Sequence, residues 1–424
     1  MMSKLNNARA DVLVVGAGPA GLALACGLVA RGIGVVVVDP RLDAPWPNNY
    51  GAWVDELPAD NARIVLGQQW PTAVVRLAGR VQTTVLERAY ARIDNAQTRA
   101  RHLDALRSGG AALVEGRVVG VRCLEEHFVV ALEHGEAFEA RQVVDASGVG
   151  ALVEYASGGA PGFQTAFGMV ARFEGDPLAG EAMVLMDYRQ SGRNQAEARE
   201  VPSFLYGMHL GANLYFVEET VLVARPQVSI ELLEARLYRR LEEAGVKVIE
   251  VLEVERCRIA MGTALPLRGQ SVLAVGAAAG FVHPATGYQF ARSMRAAPSI
   301  AEAIEEALGS GLDARARAAT VWNVIWPAEQ VRARALLSVG MEVLLKLDGA
   351  KTSRFFEHFF SLELADWSAY LGGEAGHRQI ASVMWRLFGQ AEMGLRLDLA
   401  RFALWQGDEL WRALAPGQPG GGHG

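Results

Sequence analysis

The chain has 424 residues, 51% of them hydrophobic and 21% charged, with a formal net charge of −6. That length buries a large core and more than one domain, and the acidic balance gives no electrostatic reason to expect a nucleic-acid partner. Cys26, Cys123 and Cys257 stand far apart, in no metal-ligand or redox spacing, and no run of about 18 apolar residues is present, so no disulfide framework, metal centre or transmembrane helix is expected.

Residues 1–10 are polar and a strand follows at once, so neither a signal nor a transit peptide is expected. Asp11–Val15 reads as a buried parallel strand. A glycine turn follows, Gly16-Ala17-Gly18-Pro19-Ala20-Gly21, then a helix through Leu22, Ala25, Leu28 and Val29, closed by Gly32. The next strand, 34–38, ends at Asp39. This is a βαβ unit with a dinucleotide fingerprint. Gly16 permits the tight turn. Gly18, with Ala20 beside it, lets the backbone approach a pyrophosphate. Gly21 and Ala25 let the helix close on the strand. The helix N-terminus offers N–H groups to phosphates, and Asp39 suits ribose hydroxyls. The competing reading is an ordinary glycine-rich turn.

Three later segments favour FAD over NAD. Arg92, at the start of a predicted helix over 93–109, suits a flavin phosphate or ribose; a solvated surface arginine fits nearly as well. The strand 143–146 runs into Ser147-Gly148, placing Asp145 and Gly148 where a backbone passes close to adenine or pyrophosphate, or simply turns. A strand over 271–276 leads into the cluster from Gly276 to Gly280, and Gly287 opens a helix whose N-terminus suits the pyrimidine end of a reduced flavin. His283 precedes Pro284 and is held extended. It reads more as structural than as an acid or base, and counts among the substrate-side candidates.

Between these clusters, Glu218 and Glu219 sit inside a strand-like run from Leu214 to Val223. Strand neighbours point to opposite faces, so one glutamate can enter an apolar pocket that the other cannot. A carboxyl there has its pKa raised by desolvation. Two solvated or ion-paired carboxylates are the competing reading.

From Ser299 the chain reads as helical: 300–308, then a long amphipathic stretch over 321–347, then Phe355, Phe356, Phe359 and Phe360 at helical spacing. A last periodic segment, 393–414, is rich in Trp and Leu and suits a bilayer surface or the protein's own core equally. The expected fold is α/β. A Rossmann-like FAD domain of the glutathione reductase or aromatic hydroxylase kind spans 10–150 and 265–305. A β-rich substrate domain spans 151–264, a helical region 306–415, and a flexible tail 416–424.

The stretch Trp46-Pro47-Asn48-Asn49-Tyr50-Gly51-Ala52-Trp53, the run Phe216-Val217-Glu218-Glu219-Thr220 with Ala224-Arg225-Pro226, and Val282-His283-Pro284-Ala285-Thr286-Gly287-Tyr288 together carry a resemblance. So do Gly162–Gly168, Met186-Asp187-Tyr188, Trp326-Pro327 and Gly340–Asp348. From Asp11 to about Phe388 the chain resembles the plant- and cyanobacterial-type lycopene cyclases. It departs from them at Ala277, where the family has Gly or an acid, at Val217, usually Leu, and at Ala52, usually Val.

The resemblance implies a redox-neutral cyclisation of the linear ends of lycopene, with reduced FAD and NAD(P)H as reductant. It points to Glu218 as the catalytic carboxylate, with Glu219 beside it or paired with Arg225. Trp46, Tyr50, Trp53, Phe163 and Tyr206 would line the tunnel and lend cation–π stabilisation. It further implies a peripheral position on the cytoplasmic side of a membrane and association with other carotenoid enzymes. In the reaction, a proton added at C2 leaves a cation at C1. The 5,6 double bond closes the ring, and loss of the proton at C6 gives a β-ring, at C4 an ε-ring. The site needs an acid, a base and a dry cation-stabilising pocket. Three alternatives stand beside it: an aromatic-hydroxylase-like monooxygenase, a carotenoid-binding flavoprotein without catalysis, and a cyclase of a modified end group.

Overall fold

A computed structural model describes residues 5–59, 62–148, 150–189, 201–390 and 396. The segment 393–414 and the tail 416–424 lie outside the described residues, save Arg396.

Two seven-stranded sheets carry the molecule. The first has a parallel heart, with Leu5–Val15 between Val35–Asp39 and Ala137–Asp145. Ala112–Glu115 extends it in parallel at one side, and the antiparallel strands Phe128–Leu132 and Val118–Cys123 close the other. The run predicted over 271–276 shortens to Leu273–Ala274, which pairs in parallel with the end of Ala137–Asp145. Helices Pro19–Val29 and Phe290–Gly309 pack together on this sheet. Gly27 permits that approach, since a Cβ there would lie 3.1 Å from the Ala301 methyl. The helix predicted over 93–109 runs from Asn95 to Ser108, because Asp94 caps it by accepting from Gln97 N at 2.9 Å.

The second sheet runs, in order, Lys247–Met261, Gly162–Glu174, Leu214–Ala224, Phe204–Gly211, Met183–Asp187, Ala73–Arg76 and Thr84–Leu86. Its last two strands come from the segment assigned to the nucleotide domain, so residue 150 does not divide the two sheets. A three-stranded sheet is built from Gly51–Trp53, Tyr90–Ile93 and Leu66–Trp70, whose strands interleave in sequence with Ala73–Arg76 and Thr84–Leu86.

Alternation along these strands builds two separate cores. On one face Phe167, Met169, Val217 and Val221 meet Leu233, Leu237 and Leu241 of helix Ile230–Glu243. On the other, Val170, Phe204, Met208 and Phe216 meet the C-terminal helices. The stretch predicted over 321–347 is two helices, Ala314–Ile325 and Ala328–Leu344, broken at Pro327, which disfavours helix at the residue before it. The first packs on the nucleotide core and the second on the substrate sheet.

Candidate active site

The glycine turn has the geometry its sequence demands. Gly16 has φ +111°, and a Cβ there would sit 2.4 Å from Ala146 O. A Cβ on Gly21 would sit 2.1 Å from Gly16 O. Gly18 differs: it caps helix Pro19–Val29 in extended backbone, and a Cβ there would meet nothing within 4 Å. The space in front of this helix N-terminus is open, and the first-turn N–H groups face it without intrahelical acceptors. Gly148, at φ +83°, also looks onto open space.

Asp39 takes up part of its carboxylate locally, accepting from Ala17 N and Arg41 N at 2.8 Å each. Asp145 is turned inward. Its oxygens accept from Ser147 N, Ser147 Oγ and Leu152 N, so it shapes the strand end and offers nothing outward. Arg92 lies in a strand, not at a helix start, and donates Nε to Asn49 Oδ1 at 2.6 Å.

Gly276, Gly280 and Gly287 all have positive φ. A Cβ on Gly276 would lie 2.7 Å from the Ala20 methyl, so this turn presses on the first helix. His283 is buried and neutral, its pKa driven down to about 3 chiefly by burial. Its Nε2–H donates to Tyr370 O at 3.0 Å, and Nδ1 accepts from Ala285 N and Thr286 N at 3.1 Å each. It staples the buried Pro284 loop and is not a substrate-side group.

A cavity open to solvent starts at Pro19 and passes along the second sheet to the phenylalanines of helix Gly349–Phe360. Phe355, Phe356, Phe359, Phe360 and Tyr370 line its far end. The loop 46–53 joins its parts. Trp46 Nε1 donates to Ala17 O at 3.0 Å, Tyr50 stacks on Phe290, and Asn49 N donates to Glu255 Oε1 at 3.0 Å.

Glu218 enters this cavity and Glu219 does not. Glu218 is buried, and Thr220 Oγ1 donates to its Oε1 at 2.5 Å. Burial raises its pKa to about 7. Glu219 points to the opposite face, in an ion pair with Arg240 at 2.8 Å. It is therefore no catalytic residue, and its partner is not Arg225, which instead pairs with Glu342.

The aromatic expectations divide the same way. Tyr50 and Tyr206 line the cavity, and the Tyr206 hydroxyl lies 2.9 Å from that of Tyr90. Trp46 packs against the glycine turn, outside the cavity lining. Trp53 is fully buried between Tyr90 and Trp367, with the Arg88 guanidinium over its ring. Phe163 lies on the far face under Arg258. The sequence reading also missed Glu255, a second buried carboxyl in the cavity wall. Burial first, and then the charge of Glu218, raise its pKa.

The residues present fit a flavin dinucleotide. The cradle at Gly18 is open, and Asn49 Nδ2 is a buried donor on the cavity wall without a partner among the described residues. No cluster of side chains suited to a metal ion occurs among the described residues.

A Rossmann-like domain joined to a β-sheet, with an apolar cavity between them, is the aromatic-hydroxylase-like fold. A geranylgeranyl bacteriochlorophyll reductase-like protein from Thermoplasma acidophilum superposes with a TM-score of 0.69 at 14% identity, covering 93% of this chain and 99% of that one. A flavoprotein/dehydrogenase from Cytophaga hutchinsonii gives 0.60 at 13% identity, covering 94% and 100%. The model of the family described as lycopene cyclase protein matches residues 11–397. A chloroplastic lycopene beta cyclase from an Oncidium hybrid cultivar is 39% identical over 396 residues, 92% of this chain and 83% of that protein. This chain belongs to the lycopene cyclase family.

Proposed function

We propose that the protein is a flavin-dependent lycopene β-cyclase. The observation that carries this reading is Glu218: a buried carboxyl in the wall of a largely apolar cavity, with a hydroxyl fixing one oxygen and burial raising its pKa to about 7. A buried acid of this kind can protonate an alkene that water would never reach. The phenylalanines and Tyr370 at the far end suit a hydrocarbon chain. Tyr50, Tyr206 and Tyr288 line the cavity, where aromatic rings would stabilise a passing carbocation without trapping it.

FAD would be held by Gly16, Gly18, Ala20 and Gly21 at the helix N-terminus, with Asp39 toward the ribose and the Gly276–Gly287 segment toward the ring. Reduced flavin, primed by NAD(P)H, would supply negative charge beside the cation. The protein's own part is to exclude water, seat the end group against Glu218, and donate and recover one proton. No described helix is long and apolar enough to cross a membrane. Exposed Trp385 and Leu364 on the C-terminal helices support a peripheral position on the bilayer that dissolves the substrate.

The test is anaerobic: purified protein with FAD, lycopene in phosphatidylcholine liposomes, and NADPH or dithionite. The expected product has unchanged mass and carries β-rings, and its formation depends on reduced flavin. A product of increased mass in air, with continuous NADPH oxidation, would instead identify a monooxygenase.

A further inference from the structure

We propose that Glu255 is the second catalytic carboxyl of this cavity: it faces Glu218 across Gly168, and one of the two delivers the proton to the alkene while the other receives the proton that ring closure releases. This rests on the cyclase reading and assigns a residue to its second proton transfer.

The geometry is set by strand register. Gly168 pairs with Glu218 on one side and with Glu255 on the other, and Tyr206 pairs with Glu218 beyond. Residues in one cross-strand row share a face. The row Tyr206, Glu218, Gly168, Glu255 therefore sets two carboxyls on the cavity floor with no side chain between them. Their Cα atoms are two strand spacings apart, roughly 10 Å. A Cβ on Gly168 would come within 3.0 Å of the Glu218 Cβ.

Each carboxyl is fixed by one oxygen only. Thr220 holds Glu218 Oε1, and the Asn49 backbone holds Glu255 Oε1. The second oxygen of each has no hydrogen-bond partner among the described residues and is left for the substrate or for the proton. Tyr50, Tyr90 and Tyr288 line the same cavity, with Tyr206 and Cys257 beside the carboxyls on the sheet. Arg92 is the cation near Glu255, but it is committed to Asn49 Oδ1 and to Glu253 at 3.5 Å. Two buried carboxylates without a cation of their own do not both ionise readily, so the pair holds one proton in the neutral range. That is an acid and a base in one site.

The balance closes without a further reactant. The O–H bond of one carboxyl breaks as C2–H forms. The 5,6 π pair makes the C1–C6 bond. The C6–H bond then breaks, its electrons forming the 5,6 double bond, and its proton joins the other carboxylate. One proton enters, one leaves, and nothing is oxidised or reduced.

The experiment compares wild type, E218Q, E255Q, E255D and the surface control E250Q in the anaerobic liposome assay. Flavin absorbance and melting temperature are recorded for each, and the rate is followed against pH. The expected result is a fall of at least about 100-fold in E255Q with flavin still bound, partial recovery in E255D, and loss of the wild-type pH dependence. E255Q within about threefold of an active wild type, with an unchanged pH profile, overturns the proposal. A flavin-loaded wild type that forms no ring overturns the cyclase reading itself, and this inference with it. If E255Q does not fold, the infrared carboxylic-acid band of wild type and E218Q decides. A shared proton makes the remaining carboxyl titrate lower by at least about one pH unit in E218Q, and an unmoved band overturns the pair.

Discussion

Arg240 grips Glu219 through two hydrogen bonds, Nε to Oε2 at 2.8 Å and Nη2 to Oε1 at 3.1 Å, on the face of the sheet away from the cavity. Ser203 Oγ adds a third at 2.6 Å. Because strand neighbours alternate, fixing Glu219 outward fixes Glu218 inward. A slip of one residue would exchange the two glutamates and turn the cavity wall inside out. The ion pair is thus a register lock for the site.

Glu219→Gln should therefore act on stability. It takes from the buried Arg240 guanidinium the carboxylate that pairs with it, leaving the charges of Asp187 and Glu243, so the loss should approach the about 3–5 kcal/mol of a broken buried pair. The double variant Glu219→Met with Arg240→Met removes both charges and should lose less than Glu219→Gln alone. Urea denaturation of the three proteins gives the comparison. A double variant less stable than the single one would refute the unpaired-charge account of Glu219→Gln.

Glu218 makes both stability and activity depend on pH. Burial raises its pKa in the folded protein from the ordinary carboxylate value of 4.5 to about 7, with the Thr220 hydrogen bond opposing the rise. The folded protein holds this proton where the unfolded chain has released it. Its stabilising contribution is complete below pH 4.5, declines as pH rises, and is gone above about 7. That difference corresponds to roughly 3 kcal/mol. Cyclisation needs the proton, so the rate should fall over the upper part of the same range. Glu255 titrates in the same direction, so Glu218→Gln should flatten the stability curve in part. Denaturant midpoints across pH 5 to 8, an interval on the order of the shift, check this. Equal slopes for the variant and wild type would count against a buried protonated Glu218.

The fold and the site were legible in the sequence to different depths. The βαβ start could be read because backbone geometry selects its residues: Gly16 at positive φ and Gly21 against Gly16 O tolerate nothing larger. Strand alternation likewise predicted that one of Glu218 and Glu219 would be inside. Which arginine meets Glu219 was not legible. Arg225 is close in sequence, whereas Arg240 is close in space because helix Ile230–Glu243 folds back over the sheet. Aromatic residues signal burial without saying against what, so Trp53 and Phe163 looked like tunnel lining and are packing. Glu255 was hidden for another reason. Its strand also carries Glu250 and Glu253, and exposes Ile249, Val251, Leu252 and Val254, so it reads as a solvated edge. Only pairing with Gly168 sets Glu255 apart, and register between distant strands is not written in either strand alone.

Gly16 and Gly18 should separate folding from cofactor binding. Gly16→Ala drives a methyl into Ala146 O at a strained φ and should reduce expression and melting temperature. Gly18→Ala places its methyl in open space, with backbone any residue adopts. It should melt near the wild-type apoprotein yet bind FAD at least about tenfold more weakly, because the methyl stands where the pyrophosphate must approach. Flavin fluorescence titration reads the affinity. Undiminished affinity would remove the phosphates from this helix terminus.

Gly168→Ala is the most direct probe of the cavity floor, since it adds one methyl group and changes no charge. The new Cβ would lie 3.0 Å from the Glu218 Cβ, 3.1 Å from its Cγ and 3.2 Å from Phe216 Cε2. The Glu218 Cβ is anchored to a central strand and has little room to retreat, so strain of about 1–3 kcal/mol is expected, within what a domain of this size survives. Glu218 must lean away from Glu255, and even a small misplacement of a proton donor slows the step it serves. The rate should therefore fall by about tenfold or more while flavin affinity and substrate binding hold. A single-turnover measurement with flavin-loaded protein distinguishes this from simple instability. An unaltered rate in a folded Gly168→Ala protein would mean that the gap between the two carboxyls is not where the end group sits.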